Sequence, residues 1–212
     1  MHDRRIDGET AVFGNATSLF MFAMTWWDHQ TESIWSQPWG RAIQGPLQGV
    51  ALFLLPSQLT TWSAWRAEHP QTLVMINDYS RLANLRQTFD ENFVIGVTLG
   101  DAAKAYRFAE VETVTLVNDF VGETAVLVYA SGTTFHTYVR LAESIEEPLT
   151  FTVENGQILD QQTGSVWDIS RGLAVAGPLR RTILPALPSL TAFEDHWFDF
   201  YPHATLWQSA TN

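Results

Sequence analysis

The alternation of apolar and polar positions along this chain writes many short strands and few helices. The clearest run is Phe93 to Leu99, Phe-Val-Ile-Gly-Val-Thr-Leu. The turn pair Gly100-Asp101 follows it and predicts a hairpin that returns along Ala102 to Phe108. Val111 to Val117 is a second β-branched run, closed by the turn-forming pair Asn118-Asp119. Gly122-Glu123 leads into Thr124 to Tyr129, which reads as a buried strand, and Thr133 to Leu141 alternates as one more. Elsewhere Pro38, Gly40, Gly45, Pro46, Gly49 and Pro56 interrupt the chain too often for long elements. Helices are predicted at Thr60 to Glu68, with Thr60 or Thr61 as N-cap, Trp62 and Trp65 on one face and Pro70 as stop. Ala192 to Phe200 and Arg81 to Phe89 are two more short candidates. The expected class is mainly β with a few short helices, with α+β as the alternative.

Residues 28–70 and 160–202 repeat one another at a constant offset of 132, with 16 identities in 43 positions. Asp28, Gln30, Thr31, Ser33 and Trp35 return as Asp160, Gln162, Thr163, Ser165 and Trp167. Gly40, Ala42, Gly45, Pro46 and Leu47 return as Gly172, Ala174, Gly177, Pro178 and Leu179. Leu52, Leu55, Pro56, Ser57, Trp65 and Pro70 return as Leu184, Leu187, Pro188, Ser189, Trp197 and Pro202. Further out, Phe13 matches Phe151 after a loop six residues longer in the first copy, and His2 to Arg5 then lies opposite Thr137 to Arg140. The β-patterned stretch Phe93 to Tyr138 would have its counterpart before Met1. The expectation is therefore the C-terminal half of a first unit at 1–76 and a second, complete but degenerate unit at 77–212, hinged near Ile76 to Ser80. A truncated reading frame or an internal start is one account of this, and a partner chain supplying the missing half is the other.

Composition narrows the function classes. The net charge of −11 argues against nucleic acid, because no basic patch is present to meet phosphates. The absence of cysteine excludes disulfides, thiolate metal sites and thiol nucleophiles. The longest apolar run, Leu19 to Met24 and on to Trp27, is too short to span a bilayer, which needs about 20 residues. No G-x-S-x-G elbow, phosphate loop or dinucleotide fingerprint occurs, so no cofactor is implied.

The candidate chemistry centres on D-x-x-T-x-S-x-W, held in both copies: Asp28, Thr31, Ser33 and Trp35, then Asp160, Thr163, Ser165 and Trp167. Carboxylate, hydroxyls and indole N–H can converge on a ligand. Equally, they can close a local Asx or Ser/Thr turn over a core tryptophan. Asp28 with His29 is the candidate metal pair, although the second copy has Gln161 at the histidine position. With Thr31 and Ser33 that pair forms the enzyme alternative, a metal-assisted hydrolase. Tyr106, Asn118 and Asp119 fit the rim of a ligand pocket, or plain turn chemistry. Nine tryptophans invite stacking with a small molecule or glycan, and Trp26, Trp27, Trp39 and Trp62 are the unrepeated ones to test.

Read in order, Asp28 to Gln37 gives D-x-x-T-x-S-x-W-S-Q and Ala42 to Gly49 gives A-I-x-G-P-L-x-G. Leu55 to Trp65 then gives L-P-S-x-x-T-x-W-x-x-W, and His69 to Thr72 gives H-P-x-T. This string resembles the C-terminal half of the bacterial and archaeal family known as domain of unknown function 3179. Val94 to Val97, Ala105-Tyr106, Val117 to Asp119 and Val126 to Tyr129 resemble its N-terminal half. The resemblance implies an extracytoplasmic protein with no established activity. Where the family usually has a cysteine-containing turn, this chain has Ala130-Ser131-Gly132-Thr133, and Val114 and Thr115 stand where a His-Glu pair is common. Asp168-Ile169 replaces the S-Q after the second tryptophan. A non-catalytic or degenerate binding or structural module is the functional expectation.

Overall fold

The computed structural model describes residues 1–57, 59–74 and 92–209. In the first repeat, β1 (Arg5–Ile6) pairs with β2 (Glu9–Thr10). The strands β3 (Phe13–Phe20), β4 (Ala23–Asp28), β5 (Ile34–Ser36) and β6 (Arg41–Gln44) form an antiparallel meander, and α1 (Trp62–Glu68) follows. The second repeat opens with β7 (Phe93–Leu99), β8 (Ala102–Arg107), α2 (Phe108–Val114), β9 (Leu116–Val121), β10 (Thr124–Ser131) and β11 (Thr134–Val139). The meander then returns as β12 (Phe151–Glu154), β13 (Gln157–Asp160), β14 (Val166–Asp168) and β15 (Leu173–Ala176). β16 (Leu190–Phe193), α3 (Glu194–Phe200) and β17 (Thr205–Leu206) close the chain. The protein is mainly β, and its three described helices have seven residues each.

The second repeat stacks three sheets. β10 is the middle strand of β11-β10-β9 and is buried on both faces. Val126, Val128 and Ala130 pack with Ile95, Val97 and Tyr106 of β7 and β8 on one side. Leu127 points the other way, into a cluster with Tyr138, Phe151, Trp167 and Leu184. Alternate residues of a strand face opposite sides, so a strand covered on both sides has to be apolar throughout. That is why Thr124 to Tyr129 reads as a continuous apolar run.

The two meanders are built alike down to single hydrogen bonds. The bulge between Ile34 and Trp35 recurs between Val166 and Trp167. The amide of Asp3 bonds Phe53 O as Val139 bonds Pro185 O, and Leu55 bonds Met1 O as Leu187 bonds Thr137 O. His2 bridges Leu54 as Tyr138 bridges Ala186. These pairs set Met1 to Arg4 opposite Thr137 to Arg140, one residue from the alignment expected from the sequence. The His2 ring lies against Gly40 and the Tyr138 ring against Gly172, so close that a Cβ would stand 2.3 and 2.6 Å from them. That contact explains why both glycines recur. Residues 92–136 have no counterpart among residues 1–74.

Three sequence expectations are corrected. Val111 to Val117 is not a strand: Phe108–Val114 is α2, and β9 begins at Leu116. Phe108 and Val111 lie one helical turn apart, and both are buried in the core beneath the sheets. Packing outweighs the β preference of the valines and threonines there. Thr115 ends the helix at a φ of 70°. Asn118-Asp119 is not a turn but the middle of β9, paired with Leu127 and Val126. The expected helix Ala192 to Phe200 begins only at Glu194, because Leu190–Phe193 pairs with β7 as a strand. The helix at 60–68 forms as Trp62–Glu68, capped by Thr61 Oγ1 accepting from the Ala64 amide. The expected helix at 81–89, the hinge at 76–80 and the boundary at 76/77 lie outside the described residues.

Candidate functional site

The D-x-x-T-x-S-x-W motif forms the same closed network twice. Asp28 Oδ1 accepts from the Thr31 amide at 2.6 Å, and Oδ2 accepts from Thr31 Oγ1 at 2.8 Å and Trp35 Nε1 at 2.9 Å. Ser33 Oγ lies 2.7 Å from Thr31 Oγ1 and accepts from the Leu47 amide at 3.0 Å. In the second repeat, Thr163 N, Thr163 Oγ1 and Trp167 Nε1 donate to Asp160 at 2.6, 2.8 and 2.9 Å. Ser165 Oγ bonds Thr163 at 2.7 Å and accepts from the Leu179 amide at 2.9 Å. Beside this network, Gln30 and Gln162 brace the preceding segments, accepting from the amides of Val12 and Thr150 at 3.1 and 2.8 Å.

Both aspartates, both serines and both tryptophans of the motif are buried. Burial alone pushes the Asp28 carboxyl up, but the bonds from Trp35, Thr31 and Ser33 outweigh it and hold the group below the ordinary aspartate value. His29 does not join this network. It is exposed, with its ring stacked on Trp27 at 4.2 Å. Among the described residues no group of three histidine or carboxylate side chains is placed to hold a metal ion.

Tyr106 and Asp119 do come together, the phenol donating to Asp119 Oδ2 at 2.9 Å while Lys104 pairs with the same carboxylate. Burial, then the Asp119 charge, raises the Tyr106 pKa far above the ordinary phenol. Asn118 turns to the opposite face of β9. Its amide exchanges two bonds of 2.8 Å with the backbone of Phe151, acting as one more rung of the ladder. Nearby, the buried Arg140 donates to the carbonyls of Val126, Leu149 and Asp119, and ties β9, β10 and the entry to β12 together. Its counterpart by register, Arg4, is exposed.

The repeats meet through Trp39, one of the unrepeated tryptophans, and through contacts that the sequence did not mark. Trp39 Nε1 donates to Phe200 O at 3.2 Å, and Phe20 packs on both rings. Leu59 bridges Phe135 at the edge of β11, and Ser170 Oγ donates to Glu68 Oε1 at 3.0 Å. Between the repeats lies a cleft of about 750 Å³ with Trp26 and Phe22 on one side and Phe93, Phe193, His196 and Trp197 on the other. A cleft of similar size, about 800 Å³, is walled by Trp65, Glu68, His136 and Tyr138. There Tyr138 Oη donates to Ile169 O, and Ser170 bonds both Glu68 and Asp168. Burial lowers the His136 pKa, with Glu68 and Asp168 opposing. Trp26 was a candidate for stacking and lines the first cleft, Trp27 stacks on His29, Trp39 joins the repeats, and Trp62 is exposed. His196 and Phe22 were missed; the longer first hairpin was the available signal for Phe22.

No curated protein and no solved structure matches this chain. Among the described residues, no helix is long and apolar enough to cross a membrane. The family model described as "Protein of unknown function (DUF3179)" matches residues 1–92 and again residues 84–204. The chain therefore belongs to the DUF3179 family, proteins of unknown function, with two tandem matches to its model.

Proposed function

We propose that this chain is a non-catalytic binding module whose ligand site is the aromatic cleft between the two repeats. The observation that carries this reading is a contrast. The repeated polar motif uses its hydrogen bonds internally and is buried in both copies, whereas the cleft is open and walled by rings. Ligand sites are commonly concave, mostly apolar, and set between structural units, with a few polar groups for orientation. The D-x-x-T-x-S-x-W residues on this reading hold each meander in shape, and none of them lines the cleft. With the resemblance, the proposal carries an extracytoplasmic location.

The test uses three related naphthalene probes: uncharged N-phenyl-1-naphthylamine, its sulfonated sibling 1-anilinonaphthalene-8-sulfonate, and a trimethylammonium-bearing naphthalene. Thr191 is exposed and lines the cleft, so Thr191→Trp fills it without disturbing the core. Saturable binding of any one probe, lost in Thr191→Trp, is the expected result. No saturable binding, or binding that Thr191→Trp leaves unchanged, overturns the site.

A further inference from the structure

The hairpins of the two meanders differ in one telling way. β12 and β13 are joined by Asn155-Gly156, with φ of 50° and 75°. Positive φ at both central residues is the type I′ arrangement, and Asn-Gly is the pair that best tolerates it. β3 and β4 are joined by Met21-Phe22, with φ of 50° and 61°. Two large side chains thus occupy a left-handed turn that the other copy gives to asparagine and glycine, and bulky residues rarely adopt that conformation. Phe22 is 80% exposed, so packing into the core does not explain its retention there. Its ring lies over His196 of α3 at 5.9 Å and 28°, across the mouth of the cleft.

The lining sets the chemistry of an occupant. Phe93 stacks on Phe193 at 4.6 Å, and with Trp26 these rings offer flat apolar walls. Among the described residues no Asp, Glu, Lys or Arg side chain lines the cleft, in a chain with 23 acidic and 12 basic residues, and Met1 with its α-amino group lies in the lining. A cationic ligand entering it would lose its hydration with no described carboxylate to replace it, and an anionic one would meet only the α-amino group of Met1, whose charged form burial disfavours. Gln37, Ser57 and Thr191 supply neutral hydrogen-bonding groups at the walls. We propose that the cleft takes an uncharged, planar aromatic ligand, clasped at its mouth between Phe22 of the β3–β4 turn and His196 of α3. This rests on the reading of the cleft as the binding site and adds the ligand class and the clasp.

The experiment ranks the same probes and adds the double variant Met21→Asn, Phe22→Gly, which gives the first turn the sequence of the second. N-phenyl-1-naphthylamine is expected to bind at least about tenfold more tightly than either charged probe. The double variant is expected to melt no lower than the parent, because its turn suits the backbone, and to bind the neutral probe about tenfold more weakly. Equal or tighter binding of a charged probe overturns the ligand class, while loss of that binding in Thr191→Trp still upholds the site. Unchanged binding by a folded double variant overturns the clasp. If the double variant unfolds, His196→Ala reads the same contact from the other side, and unaltered affinity there has the same meaning. A probe that ignores Thr191→Trp removes the site and this inference together.

Discussion

Trp65 and Trp197 occupy equivalent places, yet only one satisfies its indole. Trp65 Nε1 donates to Thr72 Oγ1 at 3.0 Å, whereas Trp197 Nε1 is buried and has no partner among the described residues. The position equivalent to Thr72 is Ala204. The backbones there run alike: His69 N bonds Trp65 O as Tyr201 N bonds Trp197 O, and Thr72 N bonds His69 O as Ala204 N bonds Tyr201 O. The ring pairs match too, at 4.0 Å for Trp65 with His69 and 4.3 Å for Trp197 with Tyr201. Ala204→Thr should therefore place a hydroxyl where Trp197 Nε1 needs an acceptor. A net hydrogen bond contributes about 1 kcal/mol, and relieving a buried orphan donor raises the gain to between about 1 and 3 kcal/mol. Ala204→Val has the same shape without the hydroxyl, and the difference between the two isolates the bond. For a chain of this size each kcal/mol moves the melting temperature by about 2–4 °C. Urea midpoints of the two variants measure the difference, and the Trp197 indole N–H resonance should move downfield only in the threonine variant. If Ala204→Thr is no more stable than Ala204→Val and that resonance stays put, the equivalence argument is refuted.

Asp28→Asn should destabilise the first repeat by about 1–3 kcal/mol, since it weakens three buried bonds at once, and urea unfolding reads it. Because the folded Asp28 pKa is lowered, its contribution is complete above the unfolded value of about 4 and is lost as pH falls through the folded value. Stability of the parent should thus drop with acid in that range, and Asp28→Asn should show a shallower drop; parallel curves would remove Asp28 as the cause. Arg140→Met should cost about 3 kcal/mol or more, because three backbone carbonyls lose a buried donor, whereas Arg4→Met should be neutral within about 0.5 kcal/mol at its exposed site. Trp39→Phe removes the bond to Phe200 O, so amide exchange in α3 should quicken while exchange at Asp160 and Ser165 stays the same.

The duplication, both strands of the β7–β8 hairpin and the capped helix at Trp62–Glu68 were legible because each is encoded by neighbours in the chain. The duplication also singled out a motif whose Asp, Thr, Ser and Trp all join one network, with Gln30 and Gln162 bracing the segments beside it. It did not tell a ligand site from a turn, since both demand the same residue types in the same order. Only the burial of Asp28 and Asp160, and the bonds filling their oxygens, separates the two. The α2 segment misled because its β-branched residues favour a strand locally, while the core beneath rewards the one-turn spacing of Phe108 and Val111.

Sequence alone therefore determined the family, the mainly β class and the internal repeat, all written as local patterns or direct identity. The three-dimensional structure alone decided that Asn118 bonds to Phe151, that Arg140 clamps three backbone carbonyls, and that Phe22 meets His196. Those partners lie 33, 9 to 21, and 174 positions apart in the chain. No local preference can specify a contact of that kind. It exists because burying the sheets' apolar faces brings the two repeats together, and the side chains left at their boundary form the cleft.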